Sequence, residues 1–159
     1  MHNKFYLHSY RFKTNMKREE TIDHQIKSCW HGIHRMYNQE ASKHNSTTSQ
    51  AYVVLNIDPK EGTPATKIAP MMGLESRSLT RMLKSMEEMG VIYKKQDPND
   101  GRSVRIYLTE LGQEKRRISR ETVIKFNEAV QQSIAEEKLD TFFEVVSKIN
   151  KIIDSKSIF

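Results

Sequence analysis

The stretch that most constrains this 159-residue chain is residues 74–108. A helical pattern there stops at Gly90, and two strand-like runs follow it. Setting successive residues 100° apart places Leu79, Met82, Leu83, Met86 and Met89 on one side of the helix. Arg77, Arg81 and Lys84 fall on the other side, with Thr80 at their flank. Gly90 stands where a left-handed residue closes a helix. Residues 91–95 then read as a strand, and Val104, Ile106 and Leu108 alternate with Ser103, Arg105 and Tyr107 in a second. Between them Asp97-Pro98-Asn99-Asp100-Gly101 is dense in turn formers, so the spacing predicts a hairpin with Arg102 at its tip.

The rest of the chain reads as helix. From Thr21 the apolar positions are Ile22, Ile26, Cys29 with Trp30, Ile33 and Tyr37, one stripe along about six turns, ended by the polar run 42–48. Residues 49–57 contain Val53-Val54-Leu55, a strand by propensity. The capping cluster Ser46-Thr47-Thr48 before them favours a short buried helix. Thr63 and Pro64 suit the N-cap and first position of another helix, whose inner face is Ile68, Ala69 and Met72 and whose end is Gly73. Pro70 lacks the N–H that would bond toward Thr66, so that helix is expected to be kinked or short. Thr109 caps a long helix to about residue 135, carrying Leu111, Ile118, Val130 and Ile134. A last helix carries Leu139, Phe142, Val146, Ile149 and Ile153. The class is mainly α with a small β-hairpin.

Charge sharpens this. The chain has 26 Lys and Arg against 20 Asp and Glu, a formal charge of +6. Half of that excess lies in residues 1–16, where Lys4, Arg11 and Lys13 meet no acid. The remainder is close to neutral, so a surface for an acidic polymer must be a local patch. Residues 1–16 lack helical periodicity and are expected to form an N-terminal extension, with Met16 a candidate start. The single cysteine excludes an intrachain disulfide framework and favours a reducing, cytoplasmic setting. No apolar run reaches the 18 or so residues of a membrane span.

Helix, short turn, helix with a basic outer face, then a hairpin with an arginine at its tip is a helix-turn-helix with a wing. An α-helix fits the major groove of B-DNA, where Arg77, Arg81 and Lys84 suit guanine edges and Ser76, Ser78 and Thr80 suit bases or phosphates. A hairpin tip reaches the neighbouring minor groove, whose negative potential favours an inserted Arg102. Lys94, Lys95 and Arg105 are placed to neutralise flanking phosphates.

Residues 63–112 resemble the core of the MarR family of bacterial winged-helix regulators. The resemblance is carried by Ile68-Ala69, Met72-Gly73-Leu74, Leu79-Thr80-Arg81, Met86-Glu87 and Gly90-Val91-Ile92. It continues through Asp97-Pro98-Asn99-Asp100-Gly101-Arg102-Ser103 and Leu108-Thr109-Glu110-Leu111-Gly112. Gly101, Glu75 and Pro70 depart from the usual residues at their places. The resemblance implies one winged-helix domain over 17–159, with a DNA-binding core at 47–110 and dimerisation helices at 17–44 and 111–156. It implies an obligate homodimer on a pseudo-palindromic operator of double-stranded DNA, and the whole reading is a ligand-responsive transcriptional regulator, a repressor before an activator. Ile22, Ile26, Phe142, Val146, Ile149 and Ile153 would lie at the dimer interface. Arg102 would be the wing arginine, oriented by an ion pair with Asp100.

Relatives of this family bind phenolic acids, lipophilic drugs or fatty-acyl groups where the dimer helices meet the DNA-binding core. Trp30, His34, Tyr37 and Tyr52 are the candidate effector pocket here, although ordinary aromatic packing explains them equally well. Cys29 lies on the apolar stripe beside Trp30 and reads as a buried structural thiol more readily than as a redox sensor. His24 and His31 share the polar side of the first helix while Cys29 faces inward, so no metal site is expected. No cofactor is implied. There is no Gly-rich phosphate loop, nucleophile elbow or converging carboxylate pair to suggest an enzyme. The competing readings are a helical protein-interaction module that does not bind DNA and a metal- or redox-sensing regulator of the same fold.

Overall fold

The computed structural model describes residues 17–156 except residue 99. The extension expected at 1–16 lies outside the described residues. A single 3-10 turn, Arg18–Glu20, leads into helix α1, Ile22–Ser42. There Thr21 acts as N-cap: its hydroxyl accepts from the His24 N–H and donates to the Arg18 carbonyl. Helix α2, Thr48–Leu55, is the short helix expected, and a capping box starts it. The Thr47 hydroxyl accepts from the Gln50 N–H at 3.2 Å, while the Gln50 side chain accepts from the Thr47 N–H at 3.0 Å.

Thr63–Pro64 forms strand β1, which corrects the expected helix cap. Thr63 pairs with Ile106 across the sheet, and its buried hydroxyl accepts from the Asp58 N–H and donates to the Asn56 carbonyl. Helix α3, Ala65–Met71, begins after Pro64 with no side-chain cap. It is only seven residues long, with Pro70 in its last turn.

Helix α4, Ser76–Glu88, buries Leu79, Leu83 and Met86, and Met82 packs against them. Met89 leaves this apolar side and is exposed, since it lies at the C-cap beyond the last helical turn. At that end Gly90 has φ +68°, a conformation that favours glycine. The Gly90 N–H reaches the Glu87 carbonyl and the Val91 N–H reaches the Met86 carbonyl, both at 2.9 Å. This is a Schellman closure, with Val91 and Met86 meeting in the core.

Strands β2, Ile92–Asp97, and β3, Asp100–Leu108, form the hairpin, and β1 adds along the other edge of β3 in the order β1-β3-β2. The strands run closer to the turn than expected, so Gly101 and Arg102 belong to β3. Ile106 and Leu108 are buried, but Val104 is exposed because the hairpin has by then passed beyond the core. Helix α5, Glu110–Ser133, is capped by Thr109, whose hydroxyl accepts from the Gly112 N–H and donates to the Gly90 and Val91 carbonyls. Helix α6, Glu136–Asp154, completes the chain described. Among the described residues every buried hydrophobic side chain lies between Val53 and Leu108. No helix among them is long and apolar enough to cross a membrane.

Candidate nucleic-acid interface

With Leu79, Leu83 and Met86 anchored in the core, the helical period turns Ser76, Arg77, Ser78, Thr80, Arg81 and Lys84 outward, and all six are exposed. Arg77 and Arg81 are one turn apart and unpaired among the described ion pairs, so both guanidinium groups are available to a groove. Lys84 has only a loose exposed contact with Glu88, at 3.9 Å. The Thr80 hydroxyl donates back to the Ser76 carbonyl at 2.8 Å, so it is already engaged within the helix. Lys94 on β2 holds Glu87 of α4 at 2.5 Å, tying the hairpin to the reading helix.

The hairpin differs in detail from what its sequence suggested. Arg102 is exposed near its outer end, on the alternation of Val104, Ile106 and Leu108. Asp100 meets Arg102 through the backbone: the Arg102 N–H donates to Asp100 Oδ1 at 3.0 Å, in place of the expected guanidinium ion pair. Lys95 lies over the faces of Tyr93 and Tyr107, at 5.3 Å and 5.5 Å from their ring centroids, and those rings stack at 5.4 Å. Arg105 corrects the expectation of a phosphate ligand: its guanidinium is paired with Asp97 at 2.9 Å, and its side chain is 17% exposed.

The aromatic residues proposed as an effector pocket do gather, in part. Trp30 stacks on Tyr52 at 6.3 Å and meets His34 at 6.1 Å, while Tyr37 is edge-on to Tyr52. Phe126 of α5 joins Tyr37 at 5.8 Å, a contact hidden from sequence by the 89 positions separating them. A crevice of about 40 Å³ opens beside this cluster between α1, α2 and α5. Tyr37, Tyr52, His44, Lys115 and Thr122 line it, whereas Trp30 and His34 stand outside its wall. Burial pushes the Tyr52 and Tyr37 phenols above their ordinary range, and the neighbouring Tyr52 adds to the effect on Tyr37.

The residues expected at a dimer interface are poorly covered within one chain. Ile22 is 65% exposed and Phe142 57%; Ile26 and Ile153 are also exposed, and Val146 and Ile149 are half-buried. Cys29 corrects the expectation of a buried thiol, since it is exposed on that same α1 face. His24 and His31 line one shallow cleft with Arg18, Lys27 and Arg35. Among the described residues no three His, Cys, Asp or Glu side chains converge as metal ligands.

The sequence profile of the MarR family matches residues 47–104, from the cap of α2 to the wing. The organic hydroperoxide resistance transcriptional regulator of Bacillus subtilis (strain 168) is 32% identical over 112 residues, which cover 70% of this chain and 71% of that protein. Among solved structures, the transcriptional regulator SlyA has a TM-score of 0.74 at 22% identity, over 84% of this chain and 94% of its own. The S. aureus MepR–DNA complex has a TM-score of 0.76 at 16% identity, over 82% of this chain and 97% of its own. Likenesses of that kind show a shared fold.

Proposed function

The chain belongs to the MarR family, and we propose that it is a DNA-binding transcriptional regulator that works as a homodimer and releases its operator when an effector binds. The observation that carries DNA binding is the exposed face of α4, with Arg77, Arg81 and Lys84 turned out, beside a wing that ends in exposed Arg102. A helix of that width enters the major groove, and the wing reaches along the backbone to the adjacent minor groove. Both S. aureus MepR and the relative from Bacillus subtilis support this reading, the first by its complex with DNA and the second as a transcriptional regulator.

The homodimer rests on the apolar faces of α1 and α6, which one chain leaves in water. Two α4 helices related by a two-fold axis read half-sites about 34 Å apart, one turn of DNA, so the operator is pseudo-palindromic. Effector response rests on the crevice beside Tyr37 and Tyr52. At about 40 Å³ it is the size of a water site. A dry cavity that accepts a benzene ring is about 150 Å³. A phenolic or lipophilic ligand therefore binds only by prising α1 and α2 from α5. A ligand that prefers this opened state shifts the spacing of the reading heads and so weakens operator binding, the behaviour of a repressor relieved by its effector where the operator overlaps a promoter.

The test is to let the native chain select duplexes from a random pool and to measure affinity against salt. Binding is expected to fall steeply, with a log–log slope of about 0.9 per phosphate contact. Arg102→Ala is expected to weaken every duplex, and Arg77→Ala or Arg81→Ala also to broaden base preference. Selection of no duplex, or binding indifferent to salt, overturns the reading in favour of a protein-interaction module.

A further inference from the structure

We propose that Arg105 and Asp97 form a buried clamp that sets the attitude of the wing. Arg105 is then a positioning residue for DNA recognition and makes no phosphate contact of its own. The proposal rests on the DNA-binding reading above and deepens it.

The argument begins with register. Lys95 pairs with Arg105, and Asp97 lies two residues beyond Lys95 on the same face of β2. Arg105 therefore reaches Asp97 diagonally, past the register shift between Gln96 and Asp97. Its Nε donates to Asp97 Oδ2 at 3.1 Å and one terminal nitrogen stands 2.9 Å from the same oxygen. The Asp97 side chain is 5% exposed, which makes this the most enclosed ion pair among the described residues; the others are open to water. A carboxylate so buried requires its cation, because removing one partner of a buried pair leaves a charge without solvent.

The other terminal nitrogen of Arg105 reaches away from the hairpin. It donates to the Glu61 carbonyl at 3.1 Å and to the Gly62 carbonyl at 3.5 Å. Those carbonyls belong to a tight loop between α2 and β1, in which Asp58 Oδ1 accepts the Lys60 and Glu61 N–H groups at 2.8 Å each. Both bonds hold the Asp58 carboxyl below its usual range. The loop also lies close against β3. A methyl on Gly62 would stand 2.7 Å from the Ile106 carbonyl and 2.8 Å from the Tyr107 ring. One planar guanidinium thus joins the end of β2, the middle of β3 and the loop behind them, a three-way junction that lysine cannot reproduce.

Beyond this junction the described part of the wing is exposed and braced by short local bonds. Val104 and Arg102 are exposed, and among the described residues the side-chain braces further out are the Gln96 amide on the Gly101 carbonyl at 2.7 Å and Asp100 on the Arg102 N–H at 3.0 Å. Where Arg102 meets DNA is therefore fixed at Arg105 and Asp97, on the opposite face of the sheet.

Asp97→Asn separates the clamp from simple charge. It removes an acid from a DNA-binding surface, so electrostatics alone makes binding tighter. The clamp makes it weaker, by about tenfold on a duplex selected by the native chain, the scale of one lost arginine contact. Arg105→Lys keeps a cation for phosphate but loses the fork, and it is expected to fall as far. Combining Asp97→Asn with Arg102→Ala is expected to cost no more than Arg102→Ala alone. In the free protein, amide exchange should quicken in residues 95–104 of Asp97→Asn while α3 and α4 stay protected. Tighter or unchanged binding by Asp97→Asn, native affinity in Arg105→Lys, or losses that multiply with Arg102→Ala would each overturn the clamp. Protection lost throughout the core overturns it too, by showing a general structural role. If the native chain selects no duplex the DNA reading fails, yet unchanged exchange in the wing of Asp97→Asn still refutes the clamp by itself.

Discussion

Replacing Gly112 by alanine sets two well-understood effects against each other. Gly112 is the third residue of α5, and alanine in a helix is worth up to about 1 kcal/mol over glycine. Sequence reasoning alone therefore expects a more stable protein. In the structure a methyl at this position runs into the backbone carbonyl of Val91 and comes within 3.2 Å of Leu108 Cδ2. Neither a carbonyl in a helix closure nor a buried leucine swings aside as a surface side chain would. Overpacking of this kind costs about 1–3 kcal/mol. Pushing the first turn of α5 outward also strains the Thr109 cap, whose hydroxyl joins the Gly112 N–H to the Gly90 and Val91 carbonyls. Loss of such a cap costs about 1 kcal/mol. The net expectation is a destabilisation of about 1–3 kcal/mol. With a urea m-value of about 2 kcal/mol/M, the midpoint falls by about 0.5–1.5 M at fixed protein concentration. A midpoint equal to or above that of the native chain would refute the close approach of α5 to Val91.

Thr47→Ala removes the hydroxyl from the α2 capping box and is expected to cost about 1 kcal/mol in urea unfolding, whereas Thr47→Ser keeps nearly all of it. The raised phenols of Tyr37 and Tyr52 carry a pH signature. Their folded pKa values exceed the unfolded value of about 10, so their contribution to stability is complete below that pH and is lost as pH rises through the folded values. Tyrosinate absorbance should show a late-titrating component from Tyr37 and Tyr52, reduced in Tyr52→Phe.

Features set by short spans of chain were legible before folding. The Thr109 cap, the Gly73 and Gly90 closures and the inward set Leu79, Leu83 and Met86 all follow from positions within a few residues of one another. The outward face of α4 follows from the same period. Thr63-Pro64 reads as a helix start in sequence because its partner on β3 is about forty residues away, and two residues carry no periodicity. Arg105 is opaque in sequence for a related reason: a lone basic residue on a strand looks solvated until its diagonal neighbour is known to be a buried Asp97. Cys29 exposes a limit of another kind. An apolar stripe says that a helix has a partner but not which chain supplies it, and α1 leaves its stripe partly in water.

That last point bears on how the molecule transmits a signal. Helices α1 and α6 contain no buried residue, and α5 buries only Gly112, while α2, α3, α4 and the sheet share one continuous core. The reading head therefore has an interior of its own, whereas the three long helices bury no hydrophobic side chain within one chain. Long amphipathic helices whose apolar faces stay partly in water are marginal, so in the proposed homodimer the shared lobe is the softer one. The crevice beside Tyr37 and Tyr52 lies at the joint between the two, lined by α1 and α5 from one side and α2 from the other. Opening it distorts the shared lobe before it disturbs Leu79, Leu83 and Met86. The head then moves as a body, carrying Arg77, Arg81 and Arg102 with their mutual geometry intact. Under the proposed function, an effector would alter the distance between two well-formed heads, and DNA of fixed helical repeat would convert that distance into loss of binding.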